Sequence, residues 1–192
     1  MRVDIVHEDS RNLEGYATIS AAFEVREVLD RASLETLENT GRVSPRRITE
    51  PYVKDYDAYP RNNPNDWTTQ WLVDDWGIFA AYAAQRRIGG AIGVARASDV
   101  GMFVGRADIA VVWDLRVVPD ARGRGVASAL VGAIEEWASA RGARILGVET
   151  QNVNVPACQF YSRRGFALER IDDRVYVDLP NEIRLLWTKC LR

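Results

Sequence analysis

The chain is poor in the residues on which most covalent and metal-dependent catalysis relies. Of its 192 residues only one is histidine, His7, and two are cysteines, Cys158 and Cys190, with no CxxC pair. Neither a disulfide framework nor a zinc site is indicated, and no metal is expected. A serine or cysteine triad would have one available base and no Gly-x-Ser-x-Gly elbow. No charge of one sign dominates: the formal net charge is −2, with 27% charged residues. That balance argues against a nucleic-acid or membrane-surface role driven by bulk charge. No apolar run approaches the ~20 residues of a membrane span. Met1-Arg2-Val3-Asp4 lacks the basic-then-apolar pattern of a leader, so the expectation is a soluble, cytoplasmic protein. At 47% hydrophobic residues the chain can bury a sizeable core, and residues 1–192 are expected to form one domain.

What the chain does have is concentrated between Asp114 and Phe166. An apolar run from Ile109 to Val118 leads into Pro119-Asp120 and then Ala121-Arg122-Gly123-Arg124-Gly125-Val126-Ala127. From Gly125 to Arg141 the apolar positions Ala127, Leu130, Val131, Ile134, Trp137 and Ala138 recur at helical spacing, and Gly142 ends the pattern. A strand therefore feeds a glycine turn and a helix. Gly123 and Gly125 let the backbone turn tightly and approach a ligand. The unpaired amides of the first helical turn, from Val126 and Ala127 onward, together with the positive end of the helix dipole, suit a pyrophosphate. Arg122 and Arg124 can add charge to such a site. A P-loop is excluded because no Gly-Lys-Ser/Thr follows the turn. The dinucleotide fingerprint fails because Ser128 stands where its third glycine belongs.

Ile145 to Thr150 reads as a second strand, and strand, helix and strand at this spacing make a right-handed parallel crossover. Asn154-Val155-Pro156-Ala157-Cys158-Gln159-Phe160-Tyr161 then opens a short helix that stops before Gly165-Phe166. With these pieces in order, the chain resembles the GCN5-related N-acetyltransferase (GNAT) superfamily. Its acetyl-CoA loop, Arg/Gln-x-x-Gly-x-Gly/Ala, is met by Arg122, Gly125 and Ala127. Its second motif, Asn-x-x-Ala-x-x-x-Tyr followed by Gly-Phe, is met by Asn154, Ala157, Tyr161, Gly165 and Phe166. Glu149-Thr150-Gln151-Asn152-Val153-Asn154, and weaker echoes in Phe23-Glu24-Val25, Glu50-Pro51-Tyr52-Val53-Lys54 and Leu185-Leu186-Trp187, are most similar to the streptothricin acetyltransferase group.

The resemblance implies an α/β (α+β), three-layer fold whose mixed central sheet holds a splayed parallel strand pair between flanking helices. It implies acetyl-CoA as co-substrate and direct attack of a primary amine on the thioester. The acceptor would be a small polycationic amine such as a streptothricin-like antibiotic, giving antibiotic resistance. Two alternatives are a peptide or protein N-terminus or lysine as acceptor, and a silent CoA-binding sensor. Either a monomer or a homodimer is compatible. In the family, the backbone of Leu115, Arg116 and Val117 would pair with the pantetheine arm, with the Val117 N–H polarising the acetyl carbonyl. Tyr161 matches the general acid that reprotonates the CoA thiolate, and Asn154 its helper along the arm. The base is left open between Asp114 and Glu149, at facing positions of the two parallel strands. An acidic pair precedes the first motif in the streptothricin group, and here Trp113 replaces one member.

Elsewhere the reading is coarser. Residues 1–21 are ambiguous, and Ala22 to Leu29 reads as a strand. The arginine-rich stretch from Thr40 to Arg47 reads as a solvated loop. Residues 51–76 are irregular, with Asp66 a candidate helix cap. Asp55, Asp57, Asp66, Asp74 and Asp75 are interleaved there with tyrosines and tryptophans, a composition that suits either a lid over a cationic amine or a loop covering the core. Two strands joined by a polar turn are expected across Ile78–Ala83, Gln85–Gly90 and Ala91–Ala97, with two more strands at Arg174–Asp178 and Ile183–Thr188. Cys158 reads as core packing.

Overall fold

A computed structural model describes residues 2–191, which divide into two compact units. The first comprises the residues up to Ala22, Asp55–Leu146 and the chain from Cys190. The second comprises Phe23–Lys54 and Gly147–Lys189.

In the first unit β1 (Asp4–Glu8), β4 (Gly77–Ala83), β5 (Arg86–Val94) and β6 (Ile109–Val117) hydrogen-bond in that order, each pair antiparallel. The ambiguous N-terminus resolves into β1 and the short helix α1 (Leu13–Ala17). The two strands expected across 78–97 are β4 and β5, and the turn between them is confined to Ala84 and Gln85, so that β5 already begins at Arg86. Helix α3 (Val126–Ala140) packs on β4, β5 and β6, with Leu130, Val131, Ile134, Trp137 and Ala138 buried as their spacing predicts and Val126 buried in place of the expected Ala127. Trp137 fits because the sheet leaves it a slot. Gly77 and Gly93 are register partners, and a Cβ on either would come within 2.7 Å or 3.0 Å of the indole ring.

Strand β7 (Ile145–Gln151) sets out beside the start of β6, since both Arg144 N and Ile145 N donate to Asp108 O. The β6–α3–β7 segment is thus the expected parallel crossover. Residues 51–76 carry two short 3-10 turns, Tyr56–Ala58 and Pro64–Thr69. The cap of the latter is Asn63, whose side chain accepts from Asn65 N at 3.0 Å, and not Asp66. Pro64 follows the cap, so the missing proline N–H falls where no helical partner is required, and Asp66 sits inside the first turn.

In the second unit β2 (Phe23–Val28) pairs antiparallel with β3 (Arg46–Lys54), and α2 (Arg31–Thr40) connects them. Asp30 caps α2, accepting from Ser33 N and Ser33 Oγ, and it also holds Arg46. The arginines expected in a loop therefore lie partly on β3. From Gly147 the rest of β7, α4 (Val155–Arg163), β8 (Ala167–Asp172) and β9 (Arg184–Cys190) follow, with strands in the order β7-β9-β8. The strand expected at Arg174–Asp178 is a turn. β9 pairs with β8, where Leu168 and Ile171 register with the buried Trp187 and Leu185, while Val175 and Val177 stay exposed in the turn. Asn152 knits this unit, donating from Nδ2 to Leu29 O and accepting Ile183 N at 2.8 Å.

The architecture is mixed α/β, with α3 flanking the sheet of the first unit and α4 carried by the second. No helix among the described residues is long and apolar enough to cross a membrane.

Gly77→Ala and Gly93→Ala should each destabilise the chain by about 1–3 kcal/mol by overpacking the Trp137 slot. Gly132→Ala, where a Cβ meets nothing within 4 Å inside α3, should instead stabilise it by about 0.5–1 kcal/mol. Urea denaturation of the three variants checks both signs.

Candidate active site

Along the end of β6 the amides alternate between the β5 side and the opposite side. Val118 N donates to Ile88 O at 3.0 Å, and an antiparallel ladder alternates. The amides of Arg116 and Asp114 therefore turn toward β5, while those of Leu115 and Val117 turn away from it. The Val117 carbonyl obeys the same alternation, accepting Arg122 Nε at 3.0 Å. Of the three backbone partners the sequence suggests, Leu115 and Val117 face outward from the β5 pairing and Arg116 does not.

The Arg116 side chain has its own role. It is 3% exposed and grips the end of β6 from inside. Its guanidinium binds Asp114 at 2.9 Å and Asp57 at 2.8 Å, donates to Ile19 O, and lies over the Tyr16 ring. Burial opposes its charge, but Asp114, Tyr16 and Asp57 outweigh burial and hold it more firmly protonated than a free arginine. Asp114 also accepts Tyr16 Oη at 2.9 Å, so both its oxygens have partners within this cluster. Nothing local in the sequence links Tyr16 and Asp57 to Asp114. Trp113 is the extra residue of a bulge, because Ile92 registers with Asp114 and Gly93 with Val112. The bulge re-aims its ring into a cluster with Trp67, Trp71 and Trp76, at centroid distances of 6.2, 5.1 and 5.8 Å. Among the aspartates of 55–75, Asp55 caps a turn, Asp57 serves Arg116 and Asp74 accepts Ser10 Oγ, while Asp66 and Asp75 are exposed.

After β6 the chain makes the glycine turn. Gly123 and Gly125 have φ of 71° and 83°, a region that a Cβ disfavours, and an added Cβ would meet nothing within 4 Å. Gly125 is the N-cap of α3 and brings no side-chain hydrogen bond. The first amides of α3, from Val126 and Ala127, thus begin behind an exposed turn flanked by Arg122 and Arg124. An open turn of backbone donors with two cations beside it, at the end of a strand with outward amides, fits a diphosphate joined to a peptide-like arm.

The second unit holds the other candidates. Glu149 on β7 accepts Tyr176 Oη at 2.6 Å, with Arg184 Nη1 at 3.7 Å from its second oxygen. Burial pushes its carboxyl above the ordinary range, against the hydrogen bond from Tyr176 and the charge of Arg184 and with help from Asp172. Asn154 caps α4 through Oδ1, which accepts Ala157 N. Tyr161 is buried on α4, its ring edge-on to Phe160 and Phe166. Cys158 is fully buried beside Thr150 Oγ1, and desolvation pushes its thiol up to about 12, as suits a packing residue. Among the described residues no group of three histidines, cysteines or carboxylates is placed to hold a metal. Tyr176 is the residue that sequence reading missed. It lies in the segment read as a strand, where its phenol had no assigned role.

These features define the acyltransferase class of the GNAT fold. Residues 46–166 match the model of the Acetyltransferase (GNAT) family, and the chain belongs to that family. The match agrees with a relative of known name. The streptothricin acetyltransferase of Escherichia coli is 31% identical over 170 residues, covering 86% of this chain and 83% of its own. Among solved structures, a nourseothricin acetyltransferase superposes with a TM-score of 0.74 over the full length of both chains at 23% identity. A Bacillus anthracis protein solved in complex with acetyl coenzyme A reaches 0.72, at 21% identity over 98% of this chain and 99% of that one. The chain is a GNAT acetyltransferase most similar to the streptothricin group.

Arg116→Met should cost about 3–5 kcal/mol in urea denaturation, because Asp57 and Asp114 would be left without their cation. Arg116→Lys should recover only part of that loss, since an ammonium cannot fork between two carboxylates. In a thiol titration of the native protein near pH 8, the exposed Cys190 should react and Cys158 only after denaturation.

Proposed function

We propose that residues 1–192 act as one catalytic domain that transfers the acetyl group of acetyl-CoA to a primary amine of a small polycationic acceptor of the streptothricin type. The observation that carries this is the uncapped start of α3 behind Gly123 and Gly125 at the end of β6, in a chain whose named relatives acetylate streptothricin. In this reading the amides from Gly123 to Ala127 hold the diphosphate, with Arg122 and Arg124 adding charge. The outward N–H groups of Leu115 and Val117 pair with the pantetheine arm, and Val117 donates to the carbonyl oxygen as negative charge develops there. When bound, acetyl-CoA supplies the activated acyl group.

Two protons must move. The acceptor nitrogen is an ammonium at neutral pH and must lose a proton before it can form the C–N bond. Glu149 is the better base, because burial raises its proton affinity and its second oxygen has only Arg184 at a distance too long for a hydrogen bond. Asp114, held by Arg116 and Tyr16, acts instead as fixed negative charge. As the C–S bond breaks, Tyr161 gives its phenolic proton to the sulfur, and the second proton, lost by the nitrogen as the amide forms, restores the phenol. Asn154, by capping α4, fixes the helix that carries Tyr161. Exposed Asp66 and Asp75, beside the tryptophan cluster, provide ion pairing and cation–π surface for the remaining ammonium groups of the acceptor.

Mixing the purified protein with acetyl-CoA and a streptothricin-type amine should release free CoA thiol and yield the monoacetylated amine by mass spectrometry. Tyr161→Phe should lower kcat about 10²-fold or more, with the KM for acetyl-CoA within about two-fold. Turnover confined to peptide amines would replace the acceptor assignment. Absence of turnover across antibiotic, polyamine and peptide panels would refute the catalytic reading.

A further inference from the structure

The connection from Asp173 to Ile183 between β8 and β9 contains no strand, yet it is fastened along its length. Asp173 accepts Arg31 Nη2 at 3.1 Å. Lys54 donates to Glu182 with both side chains buried. Ile183 exchanges two hydrogen bonds with Asn152, one to its side chain and one to its backbone. Between these anchors Tyr176 reaches β7, where Glu149 and Gln151 lie two residues apart and so on one face of the strand.

The phenol is used on both sides. Its oxygen accepts Gln151 Nε2 at 2.8 Å and its O–H donates to Glu149 Oε1 at 2.6 Å. A phenol has one hydrogen, and an amide nitrogen can only donate, so with Gln151 in place that hydrogen is directed to the carboxylate. The distance is that of a charge-assisted bond. The remaining charges that face Glu149 are Arg184 on β9 and Asp172 on β8. Arg184 is committed to Asp172, at 2.6 and 3.0 Å, and stays 3.7 Å from Glu149 Oε2. Asp172 is shared in turn with Arg170 at 2.9 Å.

We propose that Tyr176 is a positioning residue for acetyl transfer: clamped by Gln151, it fixes the rotamer of Glu149 through Oε1 and leaves Oε2 to receive the ammonium proton of the acceptor. This rests on the reading of Glu149 as base. The step balances: the first ammonium proton resides on Glu149 Oε2, and the C–N bond forms as the C–S bond breaks. The sulfur takes the Tyr161 proton, and the second proton, lost by nitrogen as the amide forms, restores the Tyr161 phenol. Tyr176 itself transfers no proton. It stabilises the ionised form of Glu149, and so sets the pH at which the base becomes available.

The test uses the full chain with Tyr176→Phe, which keeps the ring and removes the donor, and Gln151→Leu, which keeps the phenol and frees it to rotate. Losing a hydrogen bond to the charged form raises the carboxyl pKa, so the acid limb of kcat/KM for the amine should move to higher pH. The expected displacement is about half to one pH unit in Tyr176→Phe, and smaller in the same direction in Gln151→Leu. The KM for acetyl-CoA should stay unchanged. The Glu149 carboxyl, followed by carbon NMR titration with Glu149→Gln to assign its signal, should move by the same amount. If Glu149→Gln keeps the wild-type rate and profile, the base assignment fails, and the NMR titration alone then decides whether Tyr176 governs Glu149. An unmoved Glu149 titration in Tyr176→Phe overturns the proposal, whatever the activity.

Discussion

Helix α3 starts without a side-chain cap, and the organisation of the first unit follows from that. Most helices satisfy an early amide with a serine, threonine or aspartate hydroxyl or carboxylate, a contact worth about 1 kcal/mol. Here Gly125 occupies the cap position at φ 83° and offers none. The helix compensates by packing, with Leu130, Val131 and Ile134 fully buried and the Trp137 indole seated over paired glycines. The first amides stay unclaimed by side chains, which is the condition for an anion to claim them. β6 adds a second row of donors by alternation alone. Its amides cannot all face β5, so those of Leu115 and Val117 face away from it.

The end of β6 has to be rigid for those donors to be of use, and Arg116 supplies the rigidity. A buried guanidinium shared by Asp57, Asp114, Tyr16 and the Ile19 carbonyl joins residues distant in sequence to one point on the strand. Such a cluster contributes little net stability against a well-packed apolar substitute, yet removing its cation alone is costly. Its value lies in fixing geometry. A flat apolar contact would let the strand end shift, whereas a forked ion pair admits one arrangement.

The two candidate carboxylates differ for a physical reason visible in their surroundings. Asp114 sits against a guanidinium on its own strand, and both its oxygens are occupied. Glu149 has a phenol on one oxygen and a distant, otherwise committed arginine near the other. Two groups of the same chemistry thus have different surroundings, and under the proposed function that difference is what separates their roles.

The motifs between Asp114 and Phe166 were legible because they encode local backbone geometry. Gly123 and Gly125 take positive φ, Asn154 caps the helix it precedes, and the apolar spacing of 126–140 matches the buried face. These features depend on a few consecutive residues. The misplaced strand at 174–178, the unforeseen α2 and the cap at Asn63 in place of Asp66 had weak or competing local signals. The register with Trp187 and Leu185, or a proline following the cap, decided between alternatives that propensity left nearly equal. Sequence by itself therefore determined the strand–turn–helix and the family to which the chain belongs. Only the tertiary structure decided what surrounds each carboxylate. Tyr16 reaches Asp114, and Tyr176 and Arg184 reach Glu149, from afar in the chain, and the electrostatics of such a group is set by neighbours in space, whose distance along the chain carries no signal.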